Sequence, residues 1–227
     1  MKQILNLTLS LTIIAMVATA LLSIVNDMTK GPIAQAKKVQ QESALKAILP
    51  EFDNNPFAEK SVTTILDEKK KEIGEFVFLT AKKDSKIVGY AVLGFTDKGF
   101  SGRIEAIVGF TTEGNITKVM VTKHKETPGL GTKVCNRKVQ KTIKTILAGK
   151  KLEGLAPSIF LDQYDGVSAR LAAQVKLKGQ LVVGKDKKST LDAISGATVS
   201  STAMSNAVNR ICSEFIKYME EQYELIH

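Results

Sequence analysis

Residues 4–25 carry no charged side chain, and this run constrains the chain more than any other feature. At 1.5 Å rise per residue a helix of that length covers about 33 Å, enough to cross a hydrocarbon core. Its polar residues are Asn6, Thr8, Ser10, Thr12, Thr19 and Ser23. Hydroxyls of this kind bond back to their own helix's carbonyls and are tolerated in lipid. A cleaved signal peptide is the competing reading, with Ala18-Thr19-Ala20 or Ala34-Gln35-Ala36 as cleavage sites. The run is longer than a usual signal core and only Lys2 precedes it, which favours an uncleaved single-pass anchor. Lys30, Lys37 and Lys38 lie beyond it. Charge counting alone leaves the orientation open, because long domains translocate largely regardless of charge.

The rest of the chain has the makings of a globular domain. Apolar types are 44% of the 227 residues and charged types 24%, so a core can be buried. Gly31-Pro32 predicts a break after the anchor, followed by a stalk helix over 33–49 and a loop over 52–59. Runs rich in Val, Ile, Phe and Thr predict strands over 75–81, 86–95, 102–110 and 116–121, with turns at Asp84-Ser85 and Glu113-Gly114-Asn115. Such short connections favour an antiparallel meander. A helix is predicted over 132–147, a strand pair over 171–183 around Lys178-Gly179, and a last helix over 200–220. In that helix Met204, Val208, Ile211, Phe215 and Tyr218 form an apolar stripe. The class is α+β, a mostly antiparallel sheet with packed helices. The divisions are an anchor over 1–27, a helical stalk and loop over 28–60, and the domain over 61–227.

Composition excludes several functions. Two Cys and two His, with no zinc-type spacing, give neither a metal site nor a disulfide scaffold. Cys135 and Cys212 fit either a pair or two free buried thiols. The net charge of +9 is dispersed among acids, and no Trp or aromatic RNA-binding signature accompanies it. That reads as a solvated basic face, suited also to an anionic membrane surface, and not as a nucleic-acid groove.

Two loops carry chemistry. Asp192-Ala193-Ile194-Ser195-Gly196-Ala197-Thr198-Val199-Ser200-Ser201 runs into the last helix. Its hydroxyls, its permissive Gly196 and the helix's positive end fit an anion or phosphate site; a well-furnished N-cap fits the same residues. Upstream, Glu126-Thr127-Pro128-Gly129-Leu130-Gly131 predicts a type II turn with Pro128 and Gly129 at its centre. Its exposed N–H groups could approach a flat ligand, or it could be a plain strand-to-helix loop.

Together these segments resemble the covalent FMN-binding domain family. Asp-x-x-Ser-Gly-Ala-Thr at 192–198 looks like its flavinylation motif, Glu-Thr-Pro-Gly-Leu-Gly at 126–131 its second loop, and Gly-Phe-Ser-Gly-Arg-Ile-Glu-Ala-Ile-Val-Gly at 99–109 its glycine-bearing strand. With the anchor, the resemblance covers nearly the whole chain. Within that family it is nearest to the G component of the Rnf ion-translocating ferredoxin:NAD oxidoreductase complex. The C component of the sodium-translocating NADH:quinone reductase is the alternative. The resemblance implies that Thr198 carries FMN as a phosphoester, donated from FAD by a flavin transferase. It implies that Asp192 positions the reaction, that Ser195, Gly196 and Ala197 shape the turn, and that Glu126 to Gly131 line the flavin ring. Ser200 and Ser201 complete the expected site. It further implies other membrane subunits as partners, a domain on the extracytoplasmic side of a bacterial inner membrane, and electron relay between ferredoxin and NAD branches. A membrane-anchored assembly module without a flavin is the reading from another class.

Overall fold

A computed structural model of the chain describes residues 2–66, 72–137, 155–177 and 190–224. The chain divides into two compact units, Met1–Ser43 and Ala44–His227. The first is helical and belongs to α1, Lys2–Ile48. The segment Asn6–Ile33, mean hydropathy 2.3 and entirely exposed, is long and apolar enough to cross a membrane. Thr8, Thr12 and Thr19 donate to carbonyls four residues back at 2.9, 2.8 and 2.7 Å, as the sequence predicts for hydroxyls in an apolar helix. The predicted break at Gly31-Pro32 is absent, and Pro32 lies inside α1. A proline removes a single backbone donor, and long helix-forming flanks carry the helix through it.

The second unit is built on a five-stranded sheet. Its strands are β1 (Ser61–Leu66), β2 (Glu72–Lys83), β3 (Lys86–Gly99), β4 (Gly102–Phe110) and β5 (Ile116–Lys123). They pair antiparallel in chain order, the meander that the short connections imply. Asp84 and Ser85 both take positive φ, +50° and +63°, in the predicted β2–β3 turn. β1 is an addition to the predicted set. Its Val-Thr-Thr-Ile-Leu run is short but β-branched.

Both faces of the sheet are covered, so β4 reads as an almost continuous apolar run. On one face Ala44, Leu45, Ile48 and Leu49 pack against Leu79, Ala81, Ala91 and Ile107. On the other lies the long helix that ends the fold, α4 (Thr198–Glu224). Met204, Val208, Ile211 and Phe215 of the predicted stripe are buried there with Phe76, Val92, Ile104 and Phe110. Phe215 stacks on Phe110 with ring centroids 4.0 Å apart, and Tyr218 stacks on Phe78 at 4.6 Å.

The segment between β5 and α4 departs most from expectation. Of the predicted helix over 132–147, the described residues form α2 (Thr132–Cys135), which ends where the chain extends at Asn136; 138–154 lies outside the described residues. Arg137 explains the stop, because its guanidinium turns inward to the carbonyls of Val119 and Ala156. A 3₁₀ turn, Leu161–Tyr164, and α3 (Ala169–Ala172) follow. Leu171, expected in a strand, belongs to α3, where Ser168 caps the helix by accepting from the Leu171 N–H. β6 (Lys176–Leu177) pairs parallel with β7 (Thr190–Leu191); the rest of the predicted strand pair, with its turn at Lys178-Gly179, lies outside the described residues.

Cys135 and Cys212 are both free and buried. Burial, with the Glu126 carboxylate nearby, pushes the Cys135 thiol up to about 12, and burial pushes Cys212 higher than an ordinary thiol too. At neutral pH neither supplies a thiolate. Iodoacetamide should therefore leave both unmodified in the native protein and alkylate both once it is unfolded, as peptide mass spectrometry would read. Rapid native labelling of either would contradict this packing.

Candidate functional site

The site starts where β7 ends. Gln163, from the 3₁₀ turn, grips the backbone of Asp192: its Nε2 donates to the Asp192 carbonyl at 3.1 Å, and the Asp192 N–H donates to its Oε1 at 2.7 Å. The Ala197 N–H then closes a turn onto the Ile194 carbonyl at 2.9 Å. Ser195 and Gly196 form the exposed corner, and Gly196 takes φ +77°, where a Cβ would be strained. The Ile194 N–H donates to Ser201 Oγ at 3.1 Å, which fastens the turn to the helix. The first helical hydrogen bond here runs from the Ser201 N–H to the Ala197 carbonyl, 2.9 Å.

This geometry sorts the hydroxyls. Ser200 and Ser201 are buried and serve the fold, whereas Thr198 is exposed as the first residue of α4. The N–H groups of Thr198, Val199 and Ser200 precede the first i→i−4 bond, so the helix's positive end faces outward around the Thr198 hydroxyl.

The second loop docks beside this turn. The Leu130 N–H donates to the Thr127 carbonyl at 3.3 Å across Pro128 and Gly129, and Gly129 has φ +78°. That is the predicted type II turn. Thr132 Oγ accepts from the Gly129 N–H at 2.9 Å, tying the turn to α2. Glu126 is only 4% exposed. Its Oε1 accepts from the Ser101 N–H at 3.1 Å, and its Oε2 accepts from the Ser200 hydroxyl. His124 Nδ1 accepts from the Glu126 N–H at 3.2 Å. One buried carboxylate thus clamps the β3–β4 turn, the 126–131 loop and the first turn of α4.

Gly131 is required by this clamp. A Cβ there would lie 2.5 Å from Glu126 Oε2 and 2.6 Å from Ser200 Oγ. Gly131→Ala should cost about 1–3 kcal/mol, the usual range for overpacking, and lower the midpoint of urea unfolding. An unchanged midpoint would mean that the clamp is looser than these distances.

The structure therefore gathers Glu126, Leu130, Gly131, Gly196 and Ser200 into one place; a Cβ on Gly196 would stand 3.5 Å from Leu130 Cδ2. Thr127 is half-buried, and Pro128 and Gly129 are exposed on the same loop. The Asp192 backbone is placed by Gln163. Sequence reasoning alone does not single out Ser101 or Gln163. Ser101 lies within the glycine-bearing strand motif, and Gln163 carries no signal at all.

Comparison with known proteins decides the family. The FMN-binding domain model matches residues 99–213, and the RnfG N-terminal region model matches residues 1–48. The chain belongs to the FMN-binding domain family, of the RnfG type. The G component of an ion-translocating oxidoreductase complex from Escherichia coli is 30% identical over 92% of this chain and 90% of its own length. The G component of a sodium-translocating ferredoxin:NAD oxidoreductase complex from Acetobacterium woodii is 29% identical over 92% and 89%. Among solved structures, Shewanella oneidensis NqrC covers 72% of this chain and 64% of its own, at 18% identity and TM-score 0.41.

The residues of this FMN-binding family member suit its cofactor. A phosphate ester needs an accessible hydroxyl and positive potential beside it, and Thr198 has both at the start of α4. A flat ring system needs open space and apolar walls. Nothing stands within 4 Å of a Cβ placed on Gly129, and Leu130 and Val199 are 47% and 52% exposed.

A second buried polar group ties β5 to the 3₁₀ turn that carries Gln163. Arg137, its side chain 7% exposed, donates to the Val119 carbonyl at 2.8 Å, the Ala156 carbonyl at 3.0 Å and Asp162 Oδ1 at 2.6 Å. Asp162 Oδ2 accepts from the Ser158 N–H at 2.7 Å. Burial works to raise the Asp162 pKa, but that N–H, Arg137 and Lys118 together hold it below the ordinary carboxylate value. A lowered pKa contributes stability above the ordinary carboxylate range and loses it as pH falls through the lowered value.

Proposed function

We propose that this chain anchors to the membrane through residues 6–33 and carries FMN covalently on Thr198, relaying electrons between the ferredoxin and NAD branches of an Rnf-type complex. As a family member it is a redox subunit of an ion-translocating oxidoreductase, and its cofactor is FMN. The observation that carries the attachment site is the exposed Thr198 hydroxyl at the first position of α4, with Ser200 and Ser201 buried and engaged.

When bound, FMN supplies one- and two-electron chemistry, and the protein supplies position and electrostatics. Thr198 would supply the hydroxyl oxygen for a phosphoester to FMN and give up its proton; a flavin transferase would donate the FMN from FAD, with AMP as the leaving group. The N–H groups of α4's first turn would hold the phosphate oxygens. Gly196 keeps the approach to Thr198 open, and Glu126 fixes the loop that would line the ring. Attachment through the phosphate leaves the ring unmodified and prevents its loss by dilution. That supports a domain facing the extracytoplasmic side of the inner membrane, alongside the other membrane subunits.

The test is the visible spectrum of protein co-expressed with the transferase, taken after acid denaturation and washing. Retained flavin absorbance supports the reading. A colourless precipitate would leave a membrane-anchored assembly module. Protease accessibility in intact spheroplasts tests the orientation, and protection of the domain there would contradict it.

A further inference from the structure

We propose that Phe100, at the tip of the β3–β4 turn, packs against one face of the isoalloxazine ring and shields it from water, with Leu130 and Val199 as the neighbouring apolar walls. This rests on the attachment of FMN to Thr198.

Three large apolar side chains stand in solvent around the site. Phe100 is 70% exposed, Leu130 47% and Val199 52%. Each comes from a different segment, and the Glu126 clamp joins all three segments. Phe100 precedes Ser101, whose N–H donates to Glu126 Oε1 at 3.1 Å. Val199 precedes Ser200, whose hydroxyl donates to Glu126 Oε2. Leu130 lies in the loop that Glu126 begins, against Gly196.

A single carboxyl group spans the gap between the Phe100 turn and α4. Ser200 lies only about 3 Å along the helix axis from Thr198. The tip of the turn is therefore within reach of a group tethered at Thr198.

The turn is also held rigidly. A Cβ on Gly99 would meet the Gly102 carbonyl oxygen at 2.2 Å and Glu126 Oε1 at 2.7 Å, so the backbone there lies tight against the clamp. Gly102 takes φ +106°, a conformation that a side chain would strain. A fixed turn presenting an exposed aromatic ring offers its face at little entropic cost. Aromatic rings stack offset on planar π systems.

The experiment uses full-length flavinylated protein in detergent and two variants, Phe100→Ala and Phe100→Trp. Phe100 is exposed, so neither change disturbs the core, and covalent flavin per protein is measured first. Phe100→Ala should raise the iodide quenching constant of flavin emission about twofold, because one of the ring's two faces is uncovered. Phe100→Trp should dim native emission several-fold, since a stacked indole donates an electron to excited flavin, with recovery on unfolding. Unchanged iodide access together with unchanged emission would overturn the proposal and leave Phe100 to a docking surface. Wild-type protein lacking denaturation-resistant flavin would refute the attachment at Thr198, a separate and distinguishable failure.

Discussion

Thr198→Val is expected to eliminate covalent flavin completely while leaving the fold intact. Valine keeps the β-branched shape and removes only the oxygen. The Thr198 side chain is exposed, so its truncation uncovers no core. The turn before it is held by other atoms, the Ser201 Oγ contact with Ile194 and the Gln163 contacts with Asp192. Stability should therefore change by no more than about 1 kcal/mol, the loss of a cap-type hydroxyl. In-gel flavin fluorescence of the denatured band reads the first expectation, and thermal unfolding of apo-protein reads the second. A fluorescent Thr198→Val band would move the attachment to another hydroxyl. Ser195 is the next candidate, being exposed in the same turn, whereas Ser200 and Ser201 are buried.

The largest loss of stability is expected at Arg137. Its guanidinium satisfies two carbonyls and a carboxylate, and its side chain is only 7% exposed. Removing one member of such a buried pair leaves the others unpaired, and Arg137→Ala should cost about 3–5 kcal/mol. For a domain of this size that corresponds to a fall in Tm on the order of 10 °C. Arg137→Lys keeps the charge but loses the planar fork, and should recover only part of the loss. The acid limb supplies an independent check. Asp162 has its pKa lowered partly by Arg137, so the variant should lose less stability than the wild type as pH falls below the ordinary carboxylate range. Identical acid limbs would separate Asp162 from Arg137 energetically.

Legibility in the sequence followed how local each signal was. Strands β2 to β5 and α4 were readable because their periodicity and turn residues act over a few neighbours, as at Asp84-Ser85 and along Met204, Val208 and Ile211. The two loops of the candidate site were readable because the Ser-Gly-Ala-Thr and Pro-Gly motifs state their own backbone conformation. Pro32 misled because a proline's local cost was outweighed by the helix around it. The early end of α2 was hidden because Arg137 is drawn away by Val119, Ala156 and Asp162, partners up to 25 residues distant. Glu126 stands in a loop whose turn is readable, but its clamp is not. A buried carboxylate shared by Ser101 and Ser200 is a tertiary fact with no sequence spacing of its own.

The decisive measurement is tandem mass spectrometry of the peptide spanning residues 192–210, taken from protein made with the flavin transferase present. Fragment ions should carry the mass of FMN less one water from residue 198 onward, with residues 192–197 unmodified. An unmodified Thr198 in protein that is otherwise yellow, or flavin mass on any other residue, would contradict the account.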